Sequence, residues 1–263
     1  MFEKTNVVID LGNIKSNSNK DIKIKESNKI KESNKPNESN EINKSNDIDL
    51  AFKKQNQILE LKPRRPMGSL IIVDNFYNNA PDVRKYILTQ EFSVKGNYPG
   101  QRTISYATED LKNIIQKYVE PFAGKITQFP IPKVDKSDAA TIYNGAFQYT
   151  LARDRSWIHT DKWNNWAGVL FLTPDAPLSA GTAFYKFCDG SMCQEDTELL
   201  KNQELVNRFT QDLTKWELVD RAANVFNRLI LFNAHNYHMS MDYFGDTKEN
   251  GRLFQVFFFS TER

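Results

Sequence analysis

Histidine and cysteine are scarce in this sequence. Its 263 residues include three histidines (His159, His235 and His238) and two cysteines (Cys188 and Cys193). Two cysteines are too few for a disulfide framework, and without a second pair of Cys or His residues their spacing is a poor zinc signature. We therefore interpret them as reduced thiols of an intracellular protein. Any site that depends on imidazole has to draw on the three histidines.

Long hydrophobic runs and a large net charge are also absent. The longest apolar runs, such as Val256 to Phe259, are far too short to span a bilayer. The net charge is +2, which gives no strong attraction to nucleic acid or to an anionic membrane. The first four residues do not open a basic segment followed by an apolar core, so no secretory signal is predicted. We expect a soluble, cytoplasmic protein of open oligomeric state.

Apolar residues are nearly missing from the N-terminal part of the chain. Between Asn13 and Asp47 the composition is dominated by Asn, Ser, Lys and Glu, and the unit Lys-Glu-Ser-Asn-Lys at 25–29 recurs at 31–35. So few apolar residues cannot offset the entropy lost on ordering. Helical apolar spacing appears only at 48–66. We predict that residues 1–62 are mostly disordered and that residues 63–263 form a single domain.

The first half of that domain carries one strand signal and two helix signals. A strand is predicted within 69–76, and helices are predicted over 81–91 and 109–119, the second ended by Pro121. The segment 98–102 is predicted to be a turn. These helices are expected to form a layer that supports one face of a sheet.

From residue 139 onward the pattern changes to strands, with one helical insertion predicted near 196–216. Strands are predicted within 139–151, 156–161, 167–173, 181–187, 217–219, 227–232, 237–240 and 252–260. About eight strands is the number expected of a jelly roll. We therefore predict a mainly β fold with supporting helices (α+β), in which a double-stranded β-helix, jelly-roll or cupin-like, follows the N-terminal helices.

One triplet, His159-Thr160-Asp161, has the spacing of a metal site. In an extended strand successive side chains alternate faces, so His159 and Asp161 point to the same side. Two histidines and one carboxylate form the facial triad of non-haem Fe(II) oxygenases. The third ligand would be one of the two C-terminal histidines. We choose His238, which lies in a predicted strand, over His235, which lies in a predicted turn and stays the alternative.

Arg252 opens the last predicted strand, which is otherwise apolar. An inward-facing Arg252 needs an anionic partner, because burying an unpaired charge is costly. The order His-x-Asp, distant histidine, then Arg before an apolar strand resembles the 2-oxoglutarate/Fe(II)-dependent dioxygenases, particularly the prolyl-4-hydroxylase-like group. The resemblance covers roughly residues 139–263. It implies that His159, Asp161 and His238 hold Fe(II) and that Arg252 anchors the distal carboxylate of 2-oxoglutarate.

The same resemblance concerns two aromatic residues, Tyr143 and Phe171. Tyr143, in the segment Tyr143-Asn144-Gly145, is similar to a tyrosine whose phenol reaches the co-substrate in prolyl hydroxylases. Phe171 departs from the pattern, since some prolyl hydroxylases have a tyrosine there that contacts the co-substrate. Other residues are placed in loops at the pocket rim, where they would contact substrate unless they serve aromatic packing: residues 98–102, Lys162, Trp163 and Trp166.

The resemblance implies an enzyme that uses O2 and 2-oxoglutarate and releases succinate and CO2. Its substrate would be a C–H bond of an amino acid, a peptide or protein side chain, or a small metabolite. Two alternatives stay open: a non-catalytic jelly-roll binding module, and a cupin-type metalloenzyme that does not use 2-oxoglutarate. Neither a Gly-x-Ser-x-Gly elbow nor a glycine-rich phosphate loop occurs, which argues against a serine hydrolase and a nucleotide enzyme.

Overall fold

The computed structural model describes residues 69–187 and 208–262. The predicted disordered region 1–62, the helical spacing at 48–66, both cysteines and most of the predicted insertion 196–216 lie outside these residues. The helices are α1 (Ala80–Leu88) and α2 (Glu109–Ala123), with a short 3-10 helix at Leu213–Lys215. The strands are β1 (Leu70–Val73), β2 (Gln101–Ser105), β3 (Ile126–Gln128), β4 (Ala146–Thr150), β5 (Trp166–Phe171), β6 (Thr182–Phe187), β7 (Trp216–Ala222), β8 (Leu229–Asn233), β9 (His238–Ser240) and β10 (Arg252–Thr261).

The strands form two antiparallel sheets. The large sheet has the order β1-β8-β5-β10-β4-β2, with β3 paired to β10, and the small sheet has the order β7-β6-β9. Strand β5 lies in the large sheet, and the next two strands, β6 and β7, lie in the small sheet. The chain then returns to the large sheet with β8, enters the small sheet again with β9 and ends in the large sheet with β10. This alternation between two sheets is the double-stranded β-helix, so the predicted fold class is confirmed.

Strand β10 separates two cores because its side chains alternate faces. Leu253, Phe257 and Phe259 pack in the core that includes the helices. Phe254 and Val256 face the other way, into an apolar cluster between the sheets. The sheet therefore has one face covered by helices and one face left for a cavity.

Helix α2 covers the sheet with one apolar stripe. Its buried residues repeat every four positions at Leu111, Ile115, Val119 and Ala123. Thr108 caps the N-terminus, its side-chain oxygen accepting a hydrogen bond from the Leu111 N–H at 3.2 Å. The stripe and the cap fix the helix against the large sheet, since most helical stability in proteins comes from such packing.

Three local predictions were wrong, and one strand was missed. Pro121 does not end α2, which continues to Ala123. A proline in the last turn removes only one helical hydrogen bond, and the burial of Ala123 stabilises that turn. The segment predicted as a turn at 98–102 runs into β2, and β3 was not predicted. Residues 156–161 form no strand apart from a single bridge between His159 and His238.

No helix within the described ranges is long and apolar enough to cross a membrane.

The burial of α2 gives a stability test with an internal control. Ile115 is fully buried, whereas its neighbour Ile114 is 39% exposed. Ile115→Ala is expected to lower the free energy of unfolding by about 2–5 kcal/mol, because it leaves a cavity in the core. Ile114→Ala is expected to change it by less than about 1 kcal/mol. Urea denaturation followed by circular dichroism measures both, and equal losses would show that α2 does not pack as described.

Candidate metal centre

The structure brings together His159, Asp161 and His238. Their potential ligand atoms all lie within 4.8 Å of one another. His238 Nε2 is 3.3 Å from Asp161 Oδ2, and the two imidazole rings have their centroids 4.4 Å apart. Within the described ranges this is the cluster of His and carboxylate side chains close enough to share an ion.

Backbone hydrogen bonds hold the ligands where the chain has little regular structure. The N–H of His159 donates to the carbonyl of His238 at 3.0 Å, and the N–H of His238 donates back at 2.9 Å. The N–H of Asp161 donates to the carbonyl of Ala234 at 2.8 Å. Ile158, fully buried, anchors the segment in a small apolar cluster with residues of β6. The His159-Thr160-Asp161 triplet is therefore held by the pairing with His238, by buried Ile158 before it and by the Asp161 hydrogen bond at its end.

Each imidazole is oriented by the carbonyl two residues before it. His159 Nδ1 donates to Trp157 O at 2.9 Å, and His238 Nδ1 donates to Asn236 O at 2.8 Å. A carbonyl only accepts, so the ring proton of each neutral histidine sits on Nδ1. Both Nε2 atoms are left with a lone pair, the form in which histidine binds metals.

The charges of the cluster suit a divalent cation. Burial lowers the pKa of His159, and the neighbouring His238 lowers it further, so His159 is neutral. Burial opposes ionisation of Asp161, but His238, which hydrogen-bonds to the carboxylate when its Nε2 carries a proton, and the positive charge of Arg102 outweigh burial, so the pKa of Asp161 is lowered. Two lone-pair atoms 3.3 Å apart, on His238 and Asp161, attract only with a proton or a metal ion between them. Two imidazoles and one carboxylate fit a transition-metal ion.

A cavity of about 450 Å³ lies between the sheets and contains all three side chains in its wall. Apolar residues of β5 and β10 form its floor: Ala167, Gly168, Val169, Phe254, Val256 and Phe258. Aromatic side chains stand at its rim: Tyr98, Tyr143, Trp157 and Trp163. A mostly apolar cleft with a few convergent polar groups is the usual form of a small-molecule site.

Arg252 lies beside this cavity and is fully buried. Its Nε donates to Ala180 O at 2.9 Å and its Nη2 to Gly181 O at 3.2 Å, but Nη1 has no hydrogen-bond partner. Burial lowers the pKa of Arg252 to about 10, which leaves it charged at neutral pH. No carboxylate of the described residues forms an ion pair with it. Arg252 does not line the cavity itself, but Phe254, whose ring centroid is 4.4 Å from its guanidinium carbon, does.

Other buried polar atoms without a hydrogen-bond partner gather around Arg252. Within the described ranges they belong to Thr150, Thr182, Asn224 and Tyr243. Thr150 lies directly opposite Arg252 in the pairing of β4 with β10. Thr182 follows Gly181, whose carbonyl accepts from Arg252. Native proteins leave few such groups unsatisfied, so this corner of the fold has the chemistry of a ligand pocket.

The remaining predicted site residues fall in different places. Tyr143 lines the cavity but lies in the turn before β4, not on a strand. Phe171 is buried, with its ring centroid 5.3 Å from the Arg252 guanidinium carbon. His235 is outside the cluster, and its backbone N–H donates to Asn233 Oδ1 at 2.9 Å. Trp166, expected at the rim, is a core residue that stacks on Phe259, because it begins β5.

The cavity wall also contains a buried arginine. Arg102, expected in a rim turn, lies on β2 and is 5% exposed, with its side chain in the cavity wall. Its guanidinium carbon is 3.7 Å from the centroid of the Tyr98 ring and 5.0 Å from that of Tyr143. Burial lowers the pKa of Arg102 to about 10. The polar run Gln101-Arg102-Thr103 hides this strand from an apolar-periodicity search.

A double-stranded β-helix with two histidines and a carboxylate converging on one cavity defines a jelly-roll protein with a facial metal-ligand set. The chain belongs to the family of unknown function DUF6445, whose sequence profile matches residues 55–259. A comparison with curated proteins gave no significant match.

Solved structures similar to this one include proteins with 2-oxoglutarate bound, a prolyl hydroxylase and an α-ketoglutarate-dependent enzyme. HygX from Streptomyces hygroscopicus, with nickel, 2-oxoglutarate and hygromycin B bound, is 10% identical over 74% of this chain and 83% of its own, with a TM-score of 0.47. A prolyl hydroxylase from Trichoplax adhaerens, in complex with a peptide of hypoxia inducible factor, is 12% identical over 84% and 94%, with a TM-score of 0.41. The α-ketoglutarate-dependent epimerase SnoN is 11% identical over 79% and 82%, with a TM-score of 0.43. At these identities the likeness concerns the fold.

His238 lies in the His-Asp-His cluster and His235 lies outside it, so we expect different effects when each is replaced. His238→Ala is expected to weaken Fe(II) binding by at least about a hundredfold, since loss of even an outer partner of a metal ligand costs about 10–100-fold. His235→Ala, the matched control, is expected to bind Fe(II) like the wild type. Anaerobic equilibrium dialysis measures both. Loss of binding in His235→Ala with binding kept in His238→Ala would reverse the assignment.

Proposed function

We propose that this chain is an Fe(II)- and 2-oxoglutarate-dependent oxygenase that hydroxylates a C–H bond of an amino acid, a peptide or protein side chain, or a small metabolite. One observation carries the proposal: a facial His-Asp-His donor set and a buried arginine without an anionic partner flank the same cavity. The donor set requires a divalent cation, and the buried arginine requires an anion. A metal-bound dicarboxylate meets both requirements.

The metal would be held by Nε2 of His159, Nε2 of His238 and a carboxylate oxygen of Asp161. Two histidines and one carboxylate would leave coordination positions for the co-substrate and O2, as in the facial triads of non-haem iron enzymes. The carbonyls of Trp157 and Asn236 keep both rings turned toward the ion by accepting their Nδ1 protons. This donor set is therefore preorganised before an ion binds.

Arg252 would bind the distal carboxylate of 2-oxoglutarate. Its Nη1 is the unsatisfied donor, and the hydroxyls of Thr150, Thr182 and Tyr243 are unsatisfied groups of the same corner. Charge-assisted hydrogen bonds from a planar guanidinium to a carboxylate are among the stronger ones in proteins. Phe171 and Phe254 flank the guanidinium and exclude water from it. Tyr143, at the cavity rim, would contribute its phenol near the co-substrate.

When bound, iron and 2-oxoglutarate supply the oxidation: O2, 2-oxoglutarate and a C–H bond give succinate, CO2 and an alcohol. The protein's part is to position both and to keep water out. The apolar floor formed by β5 and β10 provides the dry wall, and the aromatic rim leaves an entrance for the substrate. Hydroxylation is then directed by which C–H bond the cavity holds next to the metal.

The two alternative functions, a binding module and a cupin-type metalloenzyme, each explain fewer of the observed features of the site. A jelly-roll binding module has no use for three converging metal ligands. A cupin-type metalloenzyme without 2-oxoglutarate leaves the charge of Arg252 buried and unpaired, which costs several kcal/mol. Both alternatives thus leave an observed feature of the site without a partner.

Anaerobic titration with Fe(II) and 2-oxoglutarate tests the proposal. The signal is the visible charge-transfer band of the chelate. The wild type is expected to show the band and Asp161→Ala to lose it. Arg252→Gln is expected to need about 30-fold to several-thousand-fold more 2-oxoglutarate, because truncating one side of a buried charged pair costs about 2–5 kcal/mol.

Two variants serve as controls for the titration. Arg228→Gln removes a half-buried arginine that pairs with Asp74 and does not line the cavity, and it should titrate like the wild type. Arg252→Lys keeps the charge without the fork and should fall between the wild type and Arg252→Gln. A folded wild type that gives no band would overturn the assignment and favour the binding module.

A further inference from the structure

Arg102 is a second buried arginine, and unlike Arg252 it lines the cavity. The charged side chains in the wall, among the described residues, are Arg102 and Asp161, with His159 and His238 beside the latter. If Asp161 binds a metal ion, Arg102 is the charged side chain of the wall that remains for a further ligand. The proposed function assigns no role to Arg102.

Neighbouring residues hold the Arg102 guanidinium rigidly but leave one edge free. Its Nε donates to Gln148 Oε1 at 2.8 Å, and its Nη2 donates to the same oxygen. Gln148 is itself fixed, since its Nε2 donates to Pro99 O at 2.6 Å. The Tyr98 ring over the guanidinium is fixed by its hydroxyl, which donates to Val94 O at 2.6 Å. Arg102 Nη1 has no hydrogen-bond acceptor within the described part of the chain.

None of these partners balances the charge of Arg102. Gln148 is neutral, and the tyrosine rings offer only their electron-rich faces. Asp161, also in the cavity wall, attracts Arg102 electrostatically, but a metal ion would neutralise that carboxylate. Fe(II), Arg252 and Arg102 together carry more positive charge than Asp161 and the 2-oxoglutarate dianion cancel, and the excess is one unit. A buried cation of this kind requires an anion.

We infer that Arg102 binds a carboxylate of the substrate, so that the substrate class is an organic acid or a peptide with an acidic group. This inference rests on the proposed function and narrows it. The free Nη1 edge supplies the hydrogen bonds, and Tyr98, Tyr143 and Trp163 at the rim pack against the apolar part of the molecule. A substrate held at Arg102 lies in the same cavity as the metal ligands, with its body between the two.

Calorimetry with matched pairs of probes tests this inference on protein loaded anaerobically with Fe(II) and saturating 2-oxoglutarate. Phenylacetate and phenylacetamide represent a free acid. The blocked tripeptides acetyl-Ala-Glu-Ala-amide and acetyl-Ala-Gln-Ala-amide represent a peptide side chain. Each pair differs in charge and little else, so the comparison isolates the carboxylate, and the two pairs separate the two sources of it.

In the wild type, the acid of at least one pair is expected to bind about ten- to a hundredfold more tightly than its amide, the range for a hydrogen bond to a charged group. Arg102→Gln is expected to abolish this preference, Arg102→Lys to keep part of it, and Arg228→Gln to leave it unchanged. The charge-transfer band of 2-oxoglutarate is expected to persist in every variant and after the acid binds.

Several outcomes would overturn the inference. It fails if neither acid is preferred over its amide in the wild type, or if Arg102→Gln keeps the preference. It also fails if the acid bleaches the band, because the probe then displaces 2-oxoglutarate, or if folded Arg102→Gln loses the band, because Arg102 then serves the co-substrate. Absence of the band from the wild type marks failure of the proposed function itself. If both Arg102 variants lose their fold, the wild-type preference for acid over amide decides alone.

Discussion

The site depends on two reciprocal backbone hydrogen bonds between His159 and His238, of 3.0 and 2.9 Å. They attach an irregular segment to β9, the edge strand of the small sheet, and so bring residues distant in sequence into one cluster. Side chains of directly opposite residues in an antiparallel bridge lie close together, which is why the two imidazoles converge. Asp161, two residues beyond His159, is held by its own backbone hydrogen bond, in which its N–H donates to the carbonyl of Ala234. Without this bridge the three ligand atoms have no common position.

The second constraint is the burial of two arginines among mostly apolar side chains. Taking a guanidinium out of water costs several kcal/mol unless it is paired and hydrogen-bonded. Carbonyls of Ala180 and Gly181 satisfy part of Arg252, and Gln148 satisfies part of Arg102. Neither arrangement supplies a negative charge. Functional sites are where proteins break the rules that otherwise stabilise them, and in this fold both departures adjoin one cavity.

The sequence predicted the fold class because β-strand alternation and helical stripes are local signals. The stripe of α2 and the apolar run of β10 are examples. The prediction of β2 failed because the strand is polar: Arg102 and its neighbours are buried through partners such as Gln148, which no local pattern reveals. The preference for His238 over His235 relied on strand context. The unsatisfied groups around Arg252 were beyond sequence reasoning, since they come from four separate segments.

The position of Arg102 has a consequence for selectivity. An enzyme whose oxidant is generated at a metal attacks the C–H bond that its binding groups hold nearest, and orientation of this kind accounts for much of catalysis. If His159, Asp161 and His238 hold a metal and Arg102 holds a substrate carboxylate, as proposed, the substrate would be anchored at one end in the cavity of about 450 Å³ that also contains the metal. The distance between carboxylate and metal, rather than the intrinsic reactivity of the C–H bonds, would then select the carbon that is oxidised. The apolar floor needs only to exclude water and to tolerate the chain between the two ends.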